Sequence, residues 1–481
     1  MTLTETQVVA ANPWWRGPGW EGADPHLRRL RERPVLLPAP LIDHMDVGRP
    51  AIHVLKGPRQ VGKSTDLKLL ARRRLQAGDR RSVVYLALDL LVGQSPADID
   101  ASVRLAKSLS GGDPGQLLLL DEVTAVPNWR VAVKALWDAG VIDRDVVVCT
   151  GSSALDMSAE GMPGRRGAGR DHLVLPQSFP NFARALSPEL PPPPALSVAE
   201  LFQPAGGEAI REARLHAAQL EGALRLYLRF GGLPAAVSEA VSGLAEPSDE
   251  VRNVLVDSLG RDALSRGAPE PALFALLGRA LQSLGSKTNY SAMAREMDVP
   301  LGSGRRGARP RSADYRPVKD HVESLAAAYQ LLVVYFWRAD TDAADLSRDK
   351  KLYFADPLLH TIAHDKAPGL RDDEPALIEN AVALALYRRY EPEDQRLQGF
   401  HLPVRLHVWE TARREIDFVC GARRELDAVE VKYQGIVSAT YAQGLQRTLP
   451  NRPVVVVSRH HLDVGATWAL IPAHLFLWLV G

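Results

Sequence analysis

Cysteine is nearly absent from this sequence. Two of its 481 residues are cysteine, Cys149 and Cys420, and each lies in an apolar run that is typical of a buried strand. Two such thiols cannot supply the disulfide framework of a small secreted domain. A reducing compartment is the simplest environment for them, so the sequence predicts a cytoplasmic protein.

Long hydrophobic runs are also absent. The first 15 residues have neither the basic start nor the apolar stretch of a signal peptide. The most apolar segment, residues 468–481, is shorter than the roughly 20 residues of a membrane-spanning helix, and it contains Pro472 and His474. We therefore expect neither secretion nor a membrane partner.

The sequence also lacks an excess of charge of either sign. The 58 lysines and arginines nearly balance the 57 aspartates and glutamates, which leaves a net charge of +1. Contact with DNA must therefore depend on a local basic patch rather than on the field of the whole molecule. The clearest patch is residues 304–311, which form either a solvated loop or a set of phosphate contacts. Its candidate DNA-binding residues are Arg305, Arg306, Arg309 and Arg311.

What the sequence does contain is the alternation of an α/β protein. Its length suggests two to four domains, and a composition of 46% hydrophobic and 24% charged residues is typical of globular proteins. From residue 51 to about residue 175, short apolar runs alternate with helical stretches, which predicts a parallel sheet covered by helices. The apolar runs are 52–55, 83–88, 117–120, 146–149 and 173–175.

A glycine-rich motif stands between the first apolar run and the helical stretch that follows it. Residues 57–64 read GPRQVGKS and fit the P-loop pattern at every fixed position. The glycines allow backbone N–H groups to turn toward phosphates, and the helix N-terminus adds its positive dipole. We predict that Lys63 contacts the β- and γ-phosphates of ATP and that the Ser64 hydroxyl binds Mg²⁺. The predicted nucleotide-binding residues are Gly57, Pro58, Arg59, Gln60, Val61, Gly62, Lys63, Ser64 and Thr65.

Two carboxylates end the third apolar run, where an ATPase needs them. Asp121 is predicted to hold Mg²⁺ through water, and Glu122 to orient and polarise the attacking water. Without a P-loop, such a pair would equally suit a helix N-cap. The next run ends at Thr150, which is a candidate sensor beside the γ-phosphate or, alternatively, a simple turn residue.

The order of these motifs and of later ones resembles a known family. After the P-loop come DEV…VPNW at 121–129, TGSS at 150–153, GR…LPQSF at 169–179, GGLP at 231–234 and KLYFAD at 351–356. This order resembles the bacterial AAA+ ATPases that join an AAA+ module to a C-terminal restriction-endonuclease-like domain. The resemblance spans most of residues 50–435.

The resemblance implies a multidomain α/β fold. It combines a P-loop AAA+ parallel sheet and a helical lid with a winged-helix module and a C-terminal restriction-endonuclease-like α/β domain. We expect a Trp-rich extension at 1–50, the AAA+ core at 51–186, a linker and helical lid at 187–286, the winged-helix-like module at 287–345 and the nuclease-like domain at 346–481.

The resemblance also implies a homo-oligomer. Arg170 is expected to project toward the ATP of a neighbouring subunit as an arginine finger, which neutralises charge on the transferring phosphoryl group. Arg165 and Arg166 compete for this role, and each of the three is alternatively a solvated loop arginine. AAA+ rings are usually hexamers, although this sequence does not fix the number of subunits.

A second group of polar residues lies near the end of the chain. Residues 415–419 alternate polar and apolar residues, as a half-buried strand does, and a turn leads to a second strand that carries Glu430 and Lys432 on one face. Asp417 on the first strand completes a carboxylate pair, and Glu379 in a preceding helical stretch adds a fourth group. This is the layout of a PD-(D/E)xK phosphodiesterase site.

The layout predicts metal-dependent chemistry. Asp417 and Glu430 would bind one or two Mg²⁺ ions, which prefer oxygen ligands. Lys432 would position or deprotonate the metal-bound water or contact the phosphate, and Gln443 or Gln446 would orient that water. The alternative is plain surface charge, and a nuclease-like fold does not by itself guarantee cutting.

Two helical patterns and an apolar run at 331–336 suggest a winged helix before this domain. Arg316, Lys319 and His321 are then expected to face a DNA backbone. In the alternative interpretation, the module only packs the ATPase against the nuclease-like domain.

Three hypotheses for function follow. The first is an ATP-hydrolysing enzyme that remodels or translocates duplex or branched DNA, such as four-way junctions, with a C-terminal domain that binds or cuts it. The second is a regulatory ATPase switch whose nuclease-like domain only binds a partner. The third is an RNA-directed nuclease in defence, although no RNA-specific module is evident.

Tryptophan is concentrated near the start of the chain. Trp14, Trp15 and Trp20 are expected to pack onto the ATPase core or onto a neighbouring subunit. A stacking platform for bases is the alternative.

Overall fold

The chain divides into two compact units. The computed structural model describes residues 2–39, 42, 45–91, 93, 95–151, 167, 169–264, 270–296, 315–338, 340–366, 373–411, 414–422, 425–449 and 452–481. The first unit is Met1–Leu175 and the second is Pro176–Gly481.

The first unit is built on a five-stranded parallel sheet in the order β2-β3-β4-β1-β5. Four strands are mainly apolar because helices cover both faces of a parallel sheet. The predicted parallel α/β architecture is thereby confirmed, although the fifth strand begins two residues earlier than expected. The strands are β1 Ala51–Lys56, β2 Val83–Ala87, β3 Leu117–Asp121, β4 Val146–Thr150 and β5 Asp171–Leu173.

Helices of the first unit begin at residues with capping chemistry. Thr4 and Gln7 form a capping box at the first helix, and Asp24 accepts from two backbone N–H groups at the third. The helices are α1 Glu5–Ala11, α2 Trp20–Ala23, α3 Pro25–Glu32, α4 Lys63–Ala77, α5 Pro96–Leu109 and α6 Trp129–Asp138.

The N-terminal segment covers the outer edge of β2. The Asn12 side chain accepts from the N–H of Tyr85 at 2.7 Å and donates to its carbonyl at 2.8 Å, as a neighbouring strand would. The indole N–H groups of Trp14 and Trp15 both donate to the Val83 carbonyl at 3.0 Å. Trp14 is fully buried and packs edge-on against Trp20, so the expectation that the tryptophans pack onto the ATPase core is confirmed.

The second unit begins with helices. In the first of them, Phe179–Leu186, Phe179 and Phe182 pack edge-on against Tyr227, with ring centroids 5.7 and 5.4 Å apart. This packing places it in the second unit. The helices are α7 Phe179–Leu186, α8 Pro204–Leu215, α9 Ala217–Phe230, α10 Pro234–Val241, α11 Asp249–Leu264, α12 Glu270–Gln282, α13 Tyr290–Glu296, α14 Arg316–Ala327, α15 Pro357–Lys366, α16 Glu374–Tyr390, α17 Glu393–Arg396, α18 Ala439–Gln446 and α19 Ala473–Val480.

A mixed eight-stranded sheet follows the order β12-β13-β11-β10-β9-β8-β6-β7. The predicted domain boundary between residues 345 and 346 falls inside β7, which pairs antiparallel with β6 along most of its length. The hairpin therefore cannot be divided between two domains. The strands are β6 Leu331–Arg338, β7 Ala343–Phe354, β8 Leu406–Glu410, β9 Glu415–Cys420, β10 Asp427–Lys432, β11 Val454–Ser458, β12 Asp463–Val464 and β13 Trp468–Pro472.

Apart from the short helix α17, the elements around the carboxylate group are, in chain order, α16, β8, β9, β10, α18 and β11. The three strands form an antiparallel meander, and β11 returns parallel to β10 after α18. At the start of β10, Asp427 accepts from the hydroxyl of Tyr390 in α16 at 2.5 Å and from the N–H of Ala199 at 3.3 Å.

Both cysteines are buried free thiols in strands, as expected. Within the described parts of the chain, no helix has the length and apolar character that a membrane span requires.

Candidate functional site

The loop after β1 has the backbone of a phosphate cradle. Gly57, Gln60 and Gly62 have φ angles of +143°, +66° and +102°. A Cβ atom on Gly57 would lie 1.9 Å from the carbonyl oxygen of Val174, so a side chain has no room there. The glycines of the motif are therefore needed for the conformation of the loop as well as for access to a ligand.

Lys63 begins α4 and folds back over the loop. Its Nζ donates to the carbonyls of Gly57 and Pro58, at 2.8 and 2.7 Å. Ser64 and Thr65 follow in the first turn of this 15-residue helix, where backbone N–H groups and the helix dipole favour an anion. Burial raises the pKa of Asp66 in the same turn to about 7, although Lys63 opposes the shift.

Side chains from β2 and β4 meet at the Asp121 carboxylate, at the end of β3. The Thr150 hydroxyl donates to Asp121 Oδ1 at 2.5 Å, and the Tyr85 hydroxyl donates to Oδ2 at 2.7 Å. The Thr150 oxygen also accepts from the backbone N–H of Glu122 at 2.9 Å. The structure therefore brings the predicted pair and the predicted sensor together. Tyr85 was missed, although it is the one polar-tipped side chain in the run VVYLA.

Glu122 adopts a conformation that is uncommon for a residue with a side chain. Its φ angle is +54°, and its Oε1 lies 3.7 Å from an Nη of Arg59 in the P-loop. The hydroxyl of Thr124 donates to the same oxygen at 3.2 Å. Such backbone conformations persist where the surrounding structure holds them, and they are frequent at active sites. Both side chains of the ion pair remain partly exposed.

The P-loop unit offers a donor set that fits Mg²⁺ with ATP. A serine hydroxyl and an aspartate carboxylate are the hard oxygen ligands that Mg²⁺ prefers. Backbone N–H groups of such a loop and a lysine at its end are groups that bind phosphates. Ser64, Asp121 and Lys63 are therefore consistent with a nucleotide site.

Arg170 is exposed at the start of β5. Its carbonyl accepts from the N–H of Val54 at 3.2 Å, and the preceding Gly169 lies so close to β1 that a Cβ atom would be 2.0 Å from the Ile52 carbonyl oxygen. This close packing fixes the backbone and leaves the arginine side chain outside. Its two competitors, Arg165 and Arg166, lie outside the described residues.

The second unit gathers the C-terminal carboxylates around a lysine that the sequence analysis overlooked. The Nζ of Lys351 in β7 lies 2.8 Å from Asp417 Oδ1, 3.0 Å from Glu415 Oε1 and 3.1 Å from Glu379 Oε1. The Tyr353 hydroxyl donates to the same oxygen of Glu379 at 2.7 Å. All four predicted residues lie in this region. Glu430 accepts from the backbone N–H of Asp417, and Lys432 lies 3.1 Å from Glu430.

Protein donors occupy the oxygens of the two predicted Mg²⁺ ligands. Asp417 Oδ1 holds Lys351, and its Oδ2 accepts from the Val431 N–H at 2.9 Å. Glu430 Oε2 accepts from the Asp417 N–H at 3.2 Å, and its Oε1 accepts from the Tyr441 hydroxyl at 2.8 Å. Regular pairing between β9 and β10 stops at Phe418 and Val429. Beyond that point the two carboxylates accept the backbone N–H groups that would otherwise lack a partner strand.

This donor set does not fit the predicted metal site. The oxygens of Asp121 accept from neutral hydroxyl groups, whereas Asp417 and Glu430 each face an ammonium group at ion-pair distance, and a positive charge there opposes a divalent cation. Across the residues that the structure describes, no group of three or more His, Cys, Asp or Glu side chains is placed to hold a metal ion.

A cleft of about 400 Å³ opens beside the cluster. From α18 it is lined by Tyr441 and Leu445 rather than by Gln443 or Gln446, which were the expected residues. The remaining lining residues are Arg414, Glu415, Asp417, Glu430 and Lys432.

Burial and mutual repulsion change the acid–base behaviour of the cluster. Burial, followed by the charge of Asp417, raises the pKa of Glu379 to about 7. The same two causes raise the pKa of Glu430. Burial alone would lower the pKa of Lys351, but Asp417 and Glu379 outweigh it and raise that pKa above its ordinary value. Its ammonium form is therefore strongly favoured.

The predicted nucleic-acid residues are described only in part. Arg316 and Lys319 are exposed at the start of α14, and Lys319 lies 3.7 Å from Glu323 one turn later. Burial lowers the pKa of His321, which is partly exposed on the same helix. Arg305, Arg306, Arg309 and Arg311 lie outside the described residues.

Comparisons with known proteins match parts of the chain. Residues 49–183 match the AAA domain family, residues 221–367 match a domain of unknown function (DUF8612), and residues 375–476 match another domain of unknown function (DUF4143). The first match agrees with the P-loop geometry, and it confirms the AAA-type ATPase domain. No curated protein matches the sequence.

One solved structure similar to the chain is the Orc1 protein of Aeropyrum pernix in complex with DNA. The two chains are 17% identical, the match covers 72% of this chain and 92% of that one, and the TM-score is 0.30. At these values the likeness establishes neither a fold nor a function for this chain.

Proposed function

We propose that this protein hydrolyses ATP with Mg²⁺ and uses the hydrolysis to act on DNA, as a homo-oligomer. One observation supports the ATPase part of this proposal. Lys63 folds over its loop, and Asp121, Glu122 and Thr150 are hydrogen-bonded to one another at the ends of β3 and β4. The match of this segment to the AAA domain family supports it.

The roles of the residues follow from their positions. Backbone N–H groups of residues 57–65 and the ammonium of Lys63 bind the phosphates, while Ser64 and Asp121 are the residues that would hold Mg²⁺. When bound, Mg²⁺ neutralises charge on the phosphate oxygens. Glu122 orients the attacking water and accepts its proton, and Thr150 holds the Glu122 backbone and the Asp121 carboxylate together.

Action on DNA is proposed for the second unit. The order of α16, β8, β9, β10, α18 and β11, with Asp417 before Glu430-x-Lys432, agrees with the layout of PD-(D/E)xK nucleases. Arg414 and Lys432 at the cleft, with Arg316 and Lys319 on α14, are cations suited to a phosphodiester backbone. A specific observation favours binding over cutting, since the ammonium groups of Lys351 and Lys432 lie at ion-pair distance from Asp417 and Glu430 and oppose a divalent metal ion there.

One experiment tests the proposal. The ATPase rate is measured without DNA and with linear single strands, duplex and a four-way junction, and cleavage is followed in the same tubes. We expect DNA to raise the rate several-fold without being cut, and the strongest stimulator identifies the substrate. A DNA-independent rate would instead support the regulatory switch, and the search would turn to protein partners.

Matched variants separate the two parts of the proposal. Lys63→Ala should abolish nucleotide binding and turnover, Glu122→Gln should bind ATP without turning it over, and Lys134→Ala, a lysine of α6 outside the loop, should behave as the wild type. Retained turnover in Lys63→Ala would contradict the P-loop assignment.

Loss of stimulation by DNA in an Arg316→Ala, Lys319→Ala double variant with normal basal turnover would locate a DNA contact on α14.

A further inference from the structure

Lys351 is buried where an isolated ammonium group would be costly. Its side chain is 2% exposed, and it is followed in β7 by the buried residues Leu352, Tyr353 and Phe354. Burying a charge without partners costs several kcal/mol, so such a group is retained only when opposite charges surround it.

The partners of Lys351 form a shell of carboxylates. Asp417 and Glu415 come from β9 and Glu379 from α16, and one oxygen of each lies between 2.8 and 3.1 Å from Nζ. Three oxygens from two separate elements converge on one point in the unit. A cation at this point stabilises the three carboxylates, and the ammonium group of Lys351 occupies it.

Two further lysines pair with carboxylates of the same cluster. Lys287 lies 2.8 Å from Glu415 Oε2, and Lys432 lies 3.1 Å from Glu430. The four carboxylates of Glu379, Glu415, Asp417 and Glu430 therefore face three ammonium groups at ion-pair distance. A divalent ion entering this arrangement would have to displace hydrogen-bonded donors and would lie beside a buried positive charge, which opposes its binding.

We propose that Lys351 is the resident cation of this cluster and holds Glu379, Glu415 and Asp417 in place of a divalent metal ion. The cluster is then organised without metal, and the adjacent cleft binds its ligand through Arg414 and Lys432 rather than through metal-assisted hydrolysis. The proposal does not depend on ATP hydrolysis by the first unit.

The test measures Mn²⁺, a paramagnetic substitute for Mg²⁺ at oxygen sites, by electron paramagnetic resonance in the absence of nucleotide. We expect the wild type and Asp417→Asn to bind Mn²⁺ equally, because Asp417 is already occupied. Lys351→Met keeps an unbranched side chain of similar volume and removes the ammonium group, so it should gain a site at least tenfold tighter than any in the wild type. Asp417→Asn in that background should abolish the gain.

A matched control removes a different lysine from the same carboxylate. Lys287→Met also deprives Glu415 of a partner, but it leaves Lys351 in place, so no new Mn²⁺ site should appear. Folded Lys351→Met protein without a new site would overturn the proposal. If Lys351→Met does not fold, the wild type still decides, because an Asp417-dependent Mn²⁺ site in the wild type contradicts the proposal directly.

A structural readout completes the test. Mn²⁺ should raise the unfolding temperature of Lys351→Met and leave that of the wild type unchanged, since only a ligand of the native state stabilises it. Normal ATPase turnover in Lys351→Met would show that the first unit is intact. Loss of turnover in Lys63→Ala, by contrast, bears on the ATPase alone, so the two proposals fail separately.

Discussion

At the residue scale, the ATPase site depends on a side chain that lies outside its motifs. Tyr85 donates to one oxygen of Asp121, and Thr150 donates to the other, so the carboxylate is held from both sides. The Nζ of Lys68 lies 3.3 Å from the centroid of the Tyr85 ring and pairs with Asp24 at 3.4 Å. The Tyr85 ring therefore packs against the buried ammonium group of Lys68, while its hydroxyl donates to Asp121.

Tyr85→Phe tests this positioning. Phenylalanine keeps the ring beneath Lys68 and removes only the hydroxyl, so one oxygen of a buried carboxylate loses its donor at a cost of about 1–3 kcal/mol in stability. We expect kcat for ATP to fall about tenfold with KM nearly unchanged. Tyr227→Phe, which removes a buried hydroxyl from the second unit, is the control. An unchanged kcat would reduce Tyr85 to a packing residue.

At the element scale, the strands that could be predicted are those with uniform surroundings. The first four strands of the P-loop sheet are mainly apolar because both faces are covered. In contrast, β5 begins with Asp171 and His172, which are buried but satisfied by Lys56 and His53 at 3.0 Å each. A strand whose polar residues find partners on a distant segment has no apolar pattern to recognise.

The same reason explains the part of the carboxylate cluster that was missed. The sequence of β7, AADLSRDKKLYF, begins with mainly polar and exposed residues and ends with buried ones, so no single period marks it as a strand. Lys351 and Tyr353 could not be assigned to the site, because only the fold brings them to Glu379. Asp417, Glu430 and Lys432 were recognisable since their spacing on adjacent strands is local.

The junction of β10 with α16 has a predictable response to pH. Burial raises the pKa of Asp427 from 3.8 to about 6. The folded state therefore binds this proton more readily than the unfolded state, so stability is gained as pH falls from about 7 to about 4 and lost as pH rises through 6. The contribution is about 3 kcal/mol at most.

Asp427→Asn should reduce this dependence. Both hydrogen bonds, from Tyr390 and from Ala199, reach the same oxygen of Asp427, and an asparagine carbonyl can accept both. We expect the difference in unfolding temperature between pH 5 and pH 7.5 to shrink in the variant, mainly through a gain at the higher pH. Equal pH dependence in the two proteins would mean that Asp427 is not the responsible group.

At the scale of the whole molecule, the exposed Arg170 leads to a prediction about assembly. An arginine finger supplied by a neighbour is worth about 10³–10⁵ in rate, so Arg170→Ala should bind ATP normally and turn it over very slowly. Mixing it with Lys63→Ala is the decisive measurement. Two inactive variants should regain turnover together, because some interfaces then combine an intact P-loop with an intact Arg170.

The control mixture combines Lys63→Ala with Glu122→Gln. Both changes lie in the same half of the proposed shared site, so no interface is complete and no activity should return. Full activity of Arg170→Ala alone would show that this arginine is not the finger.

The N-terminal cover of β2 limits how such an assembly can grow. Asn12 occupies the N–H and the carbonyl of Tyr85, and two indoles occupy the carbonyl of Val83, so these three backbone groups are not available to pair with a further strand. Open sheet margins recruit further strands and lead to unlimited fibrous growth. With these groups occupied, β2 is protected against the edge-to-edge pairing that leads to aggregation.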